Sequence, residues 1–106
     1  MSTTRVQVCG RLAVTWRGER VEARLPARQG RLLFVFLVVR RAVPVSREEI
    51  AEAIGVPPAS LRPLLSRLRR VLGPEAVTSG EQPGLMLPPD AFVDLDAARE
   101  ALHRAE

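Results

Sequence analysis

The chain has 106 residues, 46% hydrophobic and 26% charged, which is the composition of one ordinary globular domain and leaves no room for an active site between two domains. All sixteen basic residues are arginines, and the formal net charge is +4. Residues 1–73 hold fourteen arginines and five glutamates, whereas residues 74–106 hold two arginines and seven acidic residues, an asymmetry that points to a nucleic-acid-binding part joined to something else.

The N-terminal residues predict a small antiparallel sheet. Apolar and polar residues alternate over residues 5–9 and 12–16, which is the pattern of half-buried strands, and residues 10–11 would connect them. Cys9 continues the first alternating run, so we predict a buried structural thiol there. Because it is the only cysteine, the chain can form no internal disulfide.

The next segment predicts a third strand and then a helix. A turn at residues 17–20 leads into Val21 to Leu25, whose apolar residues alternate as in a strand. A helix from Ala27 to Arg41 would follow. The apolar run Leu32 to Val39 suits a buried strand as well as a buried helix, and we favour the helix.

Two further helices are predicted with a turn between them. Ser46 and Glu49 form a capping box for a helix that runs to about Ile54 and ends at Gly55. In the next helix we expect Ser60 as the N-cap and Pro63 in the first turn. The sequence Gly73-Pro74 would stop this helix after Leu72.

The C-terminal third predicts a hairpin and a last helix. Strands at residues 76–79 and 85–87 would be joined by the loop of residues 80–84. A helix then starts near Asp94, with Leu95, Ala98 and Leu102 on one face. We therefore divide the chain into a first domain, residues 1–93, and a C-terminal helix, residues 94–106.

The helix after Gly55 carries the functional prediction. At 100° per residue its leucines form one stripe, while Arg62, Ser66, Arg69 and Arg70 lie on the other side with Arg67 beside them. A basic helix face can be merely solvated, but here the segment from Pro57 to Pro74 contains no acidic residue to mix the signs. Such a helix fits the major groove, where Arg62 would reach a guanine edge and the later arginines would reach phosphates.

Four segments in this order resemble the SARP family of antibiotic-pathway activators. The predicted N-terminal strands followed by residues 28–33 (Arg-Gln-Gly-Arg-Leu-Leu) are similar to the start of that family. Residues 44–50 (Pro-Val-Ser-Arg-Glu-Glu-Ile) are similar to its loop and capped second helix. Residues 66–73 are similar to the end of its recognition helix, and residues 89–95 to the junction with a helical activator domain.

The resemblance implies an α+β fold of the OmpR type, namely a winged helix-turn-helix with an N-terminal antiparallel sheet, a three-helix core and a C-terminal β-hairpin wing. It also implies an activator of a biosynthetic gene cluster that binds promoter DNA, dimerises on direct repeats and recruits RNA polymerase. The candidate DNA contacts are Arg62, Ser66, Arg67, Arg69, Arg70, Ser60 and Arg47, with Gln82 and Gly84 in the wing.

Other interpretations stay open at this stage. Residues 48–70 also resemble the promoter-reading end of small sigma factors, but that match leaves the sheet and the hairpin unexplained. Glu81, Leu85 and Met86 stand where the wing usually carries basic and aromatic residues, so a winged helix used for protein interaction is the main alternative.

Enzymatic chemistry is not expected. The chain has one histidine, and we find neither a phosphate loop nor metal-ligand spacing, so we predict no catalytic residue, no cofactor and no metal. A secretory signal is not apparent, and the longest apolar run is too short to span a membrane. We expect a cytoplasmic protein.

Overall fold

The structure is a computed structural model that describes the backbone of residues 3–25 and 27–105, together with all their side chains except those of residues 99, 101, 103 and 105. This part of the chain forms a four-stranded mixed sheet and four α-helices, so the predicted α+β class is confirmed. The chain divides into two units, which are described separately. The sheet unit comprises residues 1–23 and 87–106, and the helical unit comprises residues 24–86.

The sheet unit contains the four strands in the order β3-β2-β1-β4. They are β1 (Arg5–Gln7), β2 (Ala13–Trp16), β3 (Glu19–Arg20) and β4 (Phe92–Val93). The first three pair in antiparallel fashion, and the pairing of β1 with β2 is as predicted. However, β4 lies parallel to β1, so the sheet is mixed and not purely antiparallel. Because a strand of two residues is too short to show alternation, β4 could not be predicted from the sequence.

Alternation along β1 and β2 separates a buried face from an exposed one. Val6, Val14 and Trp16 are at most 4% exposed, whereas Arg5 and Gln7 on the intervening positions are exposed. The pattern arises because successive side chains of a strand point to opposite faces of the sheet. The half-buried pattern predicted from the alternation is therefore confirmed at Val6, Val14 and Trp16.

The third strand predicted at Val21 to Leu25 is wrong. The pairing strand is β3, and residues Glu22–Arg24 form a 3-10 helical turn. The reason lies in Glu22, whose carboxylate accepts a hydrogen bond of 2.8 Å from the backbone N–H of Val14. This side chain takes the place that a backbone carbonyl of a longer strand would have occupied.

The buried thiol predicted at Cys9 is also wrong, because Cys9 is exposed. Strand β1 ends at Gln7, and the next two backbone N–H groups turn toward the carboxylate of Asp94. The N–H groups of Val8 and Cys9 donate to Asp94 Oδ1 and Oδ2 at 2.9 and 3.0 Å. The alternating run therefore stops before it reaches Cys9.

The bonds at Asp94 predict a dependence of stability on acid. Desolvation raises the pKa of Asp94, but hydrogen bonds from Val8, Cys9 and Leu95 outweigh it and hold the pKa below the ordinary 3.8. A depressed pKa in the folded state contributes stability above pH 3.8 that is lost as the pH falls through the folded-state pKa. We expect Asp94→Asn to be less stable than the parent at pH 7 in urea unfolding, with the difference shrinking below pH 3.8. A difference that stayed constant down to pH 2 would contradict this account.

The sheet unit ends in α4 (Asp94–Ala105). The start predicted near Asp94 is confirmed. Its predicted apolar face is not covered, because Leu102 is 65% exposed and Ala98 is exposed as well. In the described part of the chain, no helix is both long enough and apolar enough to cross a membrane.

The helical unit contains α1 (Ala27–Val39), α2 (Arg47–Ile54) and α3 (Pro58–Leu72), each of which contacts the other two. The helix predicted between Ala27 and Arg41 is confirmed, so the apolar run Leu32 to Val39 is not a strand. Among its residues, Leu33, Phe34 and Val38 are completely buried. The run shows no alternation because a helix returns to the same face every three to four residues, and the positions on its outer face are here also apolar and partly exposed.

Both predicted ends of α2 are confirmed. The hydroxyl of Ser46 accepts a hydrogen bond of 3.2 Å from the backbone N–H of Glu49, as an N-cap does. Gly55 ends the helix with φ of 74°, a left-handed conformation that glycine adopts without strain. The N–H of Val56 then returns to the carbonyl of Ala51 at 3.0 Å, which closes the helix end and leaves a three-residue turn before α3.

Candidate nucleic-acid interface

Helix α3 begins earlier than predicted. We expected Ser60 as the N-cap, but the helix starts at Pro58 with Pro57 in the cap position, so Ser60 lies in the first turn. Proline suits the first helical position because its φ is already helical and its missing N–H needs no partner there. Two consecutive prolines therefore set the start of the helix ahead of the polar residue.

The earlier start moves Pro63 into the body of the helix, so its predicted place in the first turn is wrong. An interior proline removes one helical hydrogen bond, to the carbonyl four residues earlier. Here that carbonyl belongs to Ala59, and both Ala59 and Pro63 are exposed. Water can therefore bind the unsatisfied carbonyl, which reduces the cost of the proline.

The two faces of α3 are sharply separated. The predicted leucine stripe is confirmed, since its members are at most 6% exposed: Leu61, Leu64, Leu65, Leu68 and Leu72. The opposite side is polar and exposed, and it carries Arg62, Ser66, Arg67 and Arg70. The three exposed arginines make no side-chain hydrogen bond or ion pair with any residue that the structure describes. Their guanidinium groups are available to a ligand.

Arg69 differs from the other arginines of α3 because it contacts the segment that follows the helix. It is half-buried, and its Nε donates to the carbonyl of Val77 at 3.2 Å, with a longer contact of 3.5 Å from Nη2 to the carbonyl of Thr78. Arg69 thus ties the hairpin segment (residues 76–86) to α3. This contact uses donors that the sequence interpretation had assigned to DNA.

The hairpin segment is shorter than the predicted pair of strands. In place of two strands it has one antiparallel bridge, between Val77 and Leu85. Flanking backbone bonds run from Thr78 N to Gly84 O at 2.9 Å and from Met86 N to Ala76 O at 2.7 Å. The predicted strands at 76–79 and 85–87 are therefore wrong in length, although the chain reverses where expected.

The predicted wing residues occupy different places in this segment. Gln82 is exposed near the tip. Gly84 is half-buried and bonded to Thr78, whose hydroxyl accepts from the Gly84 N–H at 2.8 Å. Gly84 therefore supports the bridge and does not lie at the tip.

Arg47 holds the tip of the hairpin segment against the start of α2. Its Nη1 donates to the carbonyl of Gly80 at 2.7 Å, and its backbone N–H donates to the carbonyl of Glu81 at 3.2 Å. Arg47 is half-buried as a result. The tip is folded back beside the helices, where an extended wing would project away from them.

These contacts create one open groove between α3 and the hairpin tip, with a volume of about 630 Å³. Its lining is Arg47, Pro58, Ala59, Arg62, Leu65, Arg69, Ser79, Gly80 and Glu81. The groove brings together three of the predicted contacts, namely Arg47, Arg62 and Arg69. Ser66, Arg67 and Arg70 lie elsewhere on the exposed face of α3, and Ser60 is half-buried in its first turn.

The electrostatics of the helical unit favour an anionic ligand. This unit holds ten arginines and five glutamates, a balance of +5, and α3 contains four arginines and no acidic residue. An anion binding beside α3 would also meet the N-terminal end of its dipole. In the described residues, no group of three His, Cys, Asp or Glu side chains could hold a metal ion.

The bonds of Arg69 predict what its loss would do. We expect Arg69→Ala to loosen the hairpin segment, so that the amide protons of Thr78 and Met86 exchange with solvent faster than in the parent. The free energy of unfolding should fall by about 1 kcal/mol, the net contribution of a hydrogen bond. Arg70→Ala is the matched control, because Arg70 is exposed and makes no such bond. Equal exchange rates in the two variants would contradict the proposal that Arg69 holds the hairpin segment against α3.

Comparison of the chain with known protein families, with curated proteins and with solved structures gives no significant match. The function is therefore inferred from the residues of α3 and the groove described above. Sequence reasoning missed Ser79 and Glu81 as residues of the groove. Their positions follow from the backbone bonds of Arg47, which have no signature in the sequence.

Proposed function

We propose that the chain binds double-stranded DNA through α3 and regulates transcription as a winged helix-turn-helix protein. The observation that carries the proposal is the separation of α3 into a buried leucine face and an exposed face with three arginines that have no partner among the described residues. A helix of this kind fits the width of the major groove. The three-residue turn between α2 and α3 and the hairpin segment after α3 further support this class.

The proposal gives the polar residues distinct roles. Arg62 lies in the N-terminal half of α3, the part of a recognition helix that contacts base edges, and its fork suits guanine. Arg67 and Arg70 lie farther along and would bind phosphates. Arg47 and Arg69 position the hairpin segment, so their contribution to DNA binding is mainly indirect.

The biological part of the proposal comes from the resemblance to the SARP family. We propose an activator that recruits RNA polymerase and pairs on direct repeats. Recruitment of RNA polymerase and pairing on direct repeats do not follow from the geometry of the groove, so they are tested separately in the cell. The binding activity can be tested first and separately.

The test is binding to a generic duplex, measured by fluorescence anisotropy over a series of salt concentrations. Phosphate contacts from two to three arginines should give a log–log slope of roughly −2 to −3, because each neutralised phosphate contributes about −0.9. A folded sample that does not bind at low salt, or binds without salt dependence, would overturn the proposal.

A second candidate, a protein-interaction module, is favoured by one observation. A cleft of about 290 Å³ lies between the end of α1, the loop after it and the outer side of the hairpin segment. Val43 and Met86 are 54% and 59% exposed and line this one cleft, and exposed apolar residues that lie together can mark a protein contact. Absence of DNA binding in the salt series would make this second function the better explanation.

A further inference from the structure

We propose that Glu81 determines base specificity in the groove beside α3, by selecting a base pair that presents the amino group of cytosine. This inference rests on the proposed DNA-binding function and deepens it. It assigns a recognition role to the hairpin tip, which carries no basic residue of its own.

The backbone around Glu81 is fixed next to α3. Two hydrogen bonds from Arg47 hold the carbonyls of Gly80 and Glu81, at 2.7 and 3.2 Å. Gly80 has φ of +107°, a conformation that allows the tight reversal at the tip. As a result Glu81 lines the same groove as Arg62, although 19 residues separate them in the sequence.

Glu81 is the only acidic residue among the described residues that line this groove. It lies in a wall that otherwise carries Arg47, Arg62 and Arg69, and yet it makes no ion pair or side-chain hydrogen bond with any described residue. Its side chain is exposed. The carboxylate therefore lines the same groove as the arginines and is available to a ligand.

An ionised carboxylate accepts hydrogen bonds and donates none, so its choice of partner is narrow. It repels phosphates, which excludes a role in binding the DNA backbone. In the major groove, guanine and thymine present acceptors, and adenine presents an acceptor beside its amino group. Cytosine presents only the N4 amino donor, so Glu81 favours cytosine over guanine and thymine, and over adenine because the N7 acceptor beside the adenine amino group repels the carboxylate.

The experiment is a selection from a library of randomised duplexes, performed with the parent, with Glu81→Ala and with Glu52→Ala. Glu52 is exposed on α2 and does not line the groove, so its replacement makes the same change in net charge. The parent should enrich a motif with cytosine at one position. Glu81→Ala should lose roughly tenfold in preference at that position alone, the order of one base contact, and Glu52→Ala should keep it.

Two results would overturn the inference while leaving the proposed function intact. The first is an unchanged motif with uniformly tighter binding in Glu81→Ala, which would show simple repulsion of DNA. The second is an equal change of motif in both variants. Enrichment of no sequence at all by the parent would instead contradict sequence-specific DNA binding itself, and the inference with it.

Discussion

Replacing Arg62 with glutamate should lower the affinity for duplex DNA by about 100-fold, since one base-edge contact accounts for roughly 1–3 kcal/mol and the new charge repels phosphates. Arg62 is exposed, has no partner among the described residues and lines the groove beside the N-terminal half of α3. No other arginine of α3 combines these three properties. The measurement is fluorescence anisotropy with labelled duplex at one fixed salt concentration.

A matched variant separates the position of the charge from its amount. Arg31→Glu makes the same change in net charge at an exposed site on α1, outside the groove. We expect it to weaken binding far less than Arg62→Glu, through long-range electrostatics only. An equal loss of DNA affinity in the two variants would mean that the affinity depends only on net charge. The assignment of α3 as the recognition helix would then be wrong. Circular dichroism of both proteins checks that they are folded.

Replacing Leu68 with alanine should lower the free energy of unfolding by about 2–5 kcal/mol, because the change leaves a cavity in a packed core. Leu68 is completely buried and lies in the middle of the leucine stripe of α3. A small domain has a total stability of roughly 5–15 kcal/mol, so this one change removes a large share of it. Urea unfolding followed by circular dichroism measures the effect.

Leu102→Ala is the control for this stability prediction. Leu102 is 65% exposed on α4, so we expect a change within about 0.5 kcal/mol. A small effect at Leu68, comparable with that at Leu102, would contradict the burial of the leucine stripe. Such a result would also contradict the exposure of the arginines on the opposite side of α3, because the orientation of the helix determines which residues are buried and which are exposed.

Features with a strong local period could be predicted from the sequence. The leucine stripe of α3 repeats with the helical period, and the capping pair Ser46 and Glu49 has a fixed spacing, so both were found correctly. The start of α3 was misplaced because two preferences competed, a polar cap at Ser60 and a proline at the first helical position. The rigid φ of Pro58 determined the outcome.

Features that depend on distant partners could not be predicted in this way. Strand β4 exists only because β1 offers it an edge, and Cys9 is exposed only because Asp94 binds its backbone. Likewise, the bonds of Arg47 bring Glu81 into the groove, and no spacing rule connects these two positions. The sequence indicated which residues could act together on α3, but it did not indicate what the hairpin tip would add.

The parallel pairing of β1 with β4 has a consequence for synthesis of the chain. The backbone N–H of Val8 donates to Asp94, which lies 86 residues later in the chain. During synthesis, one edge of β1 therefore has no partner until β4 and Asp94 have left the ribosome. The contacts among α1, α2 and α3 span far shorter stretches of chain and need nothing beyond Leu72. Long loops close later than short ones. The core around the leucine face of α3 can therefore form before β4 joins β1, and the sheet is completed last.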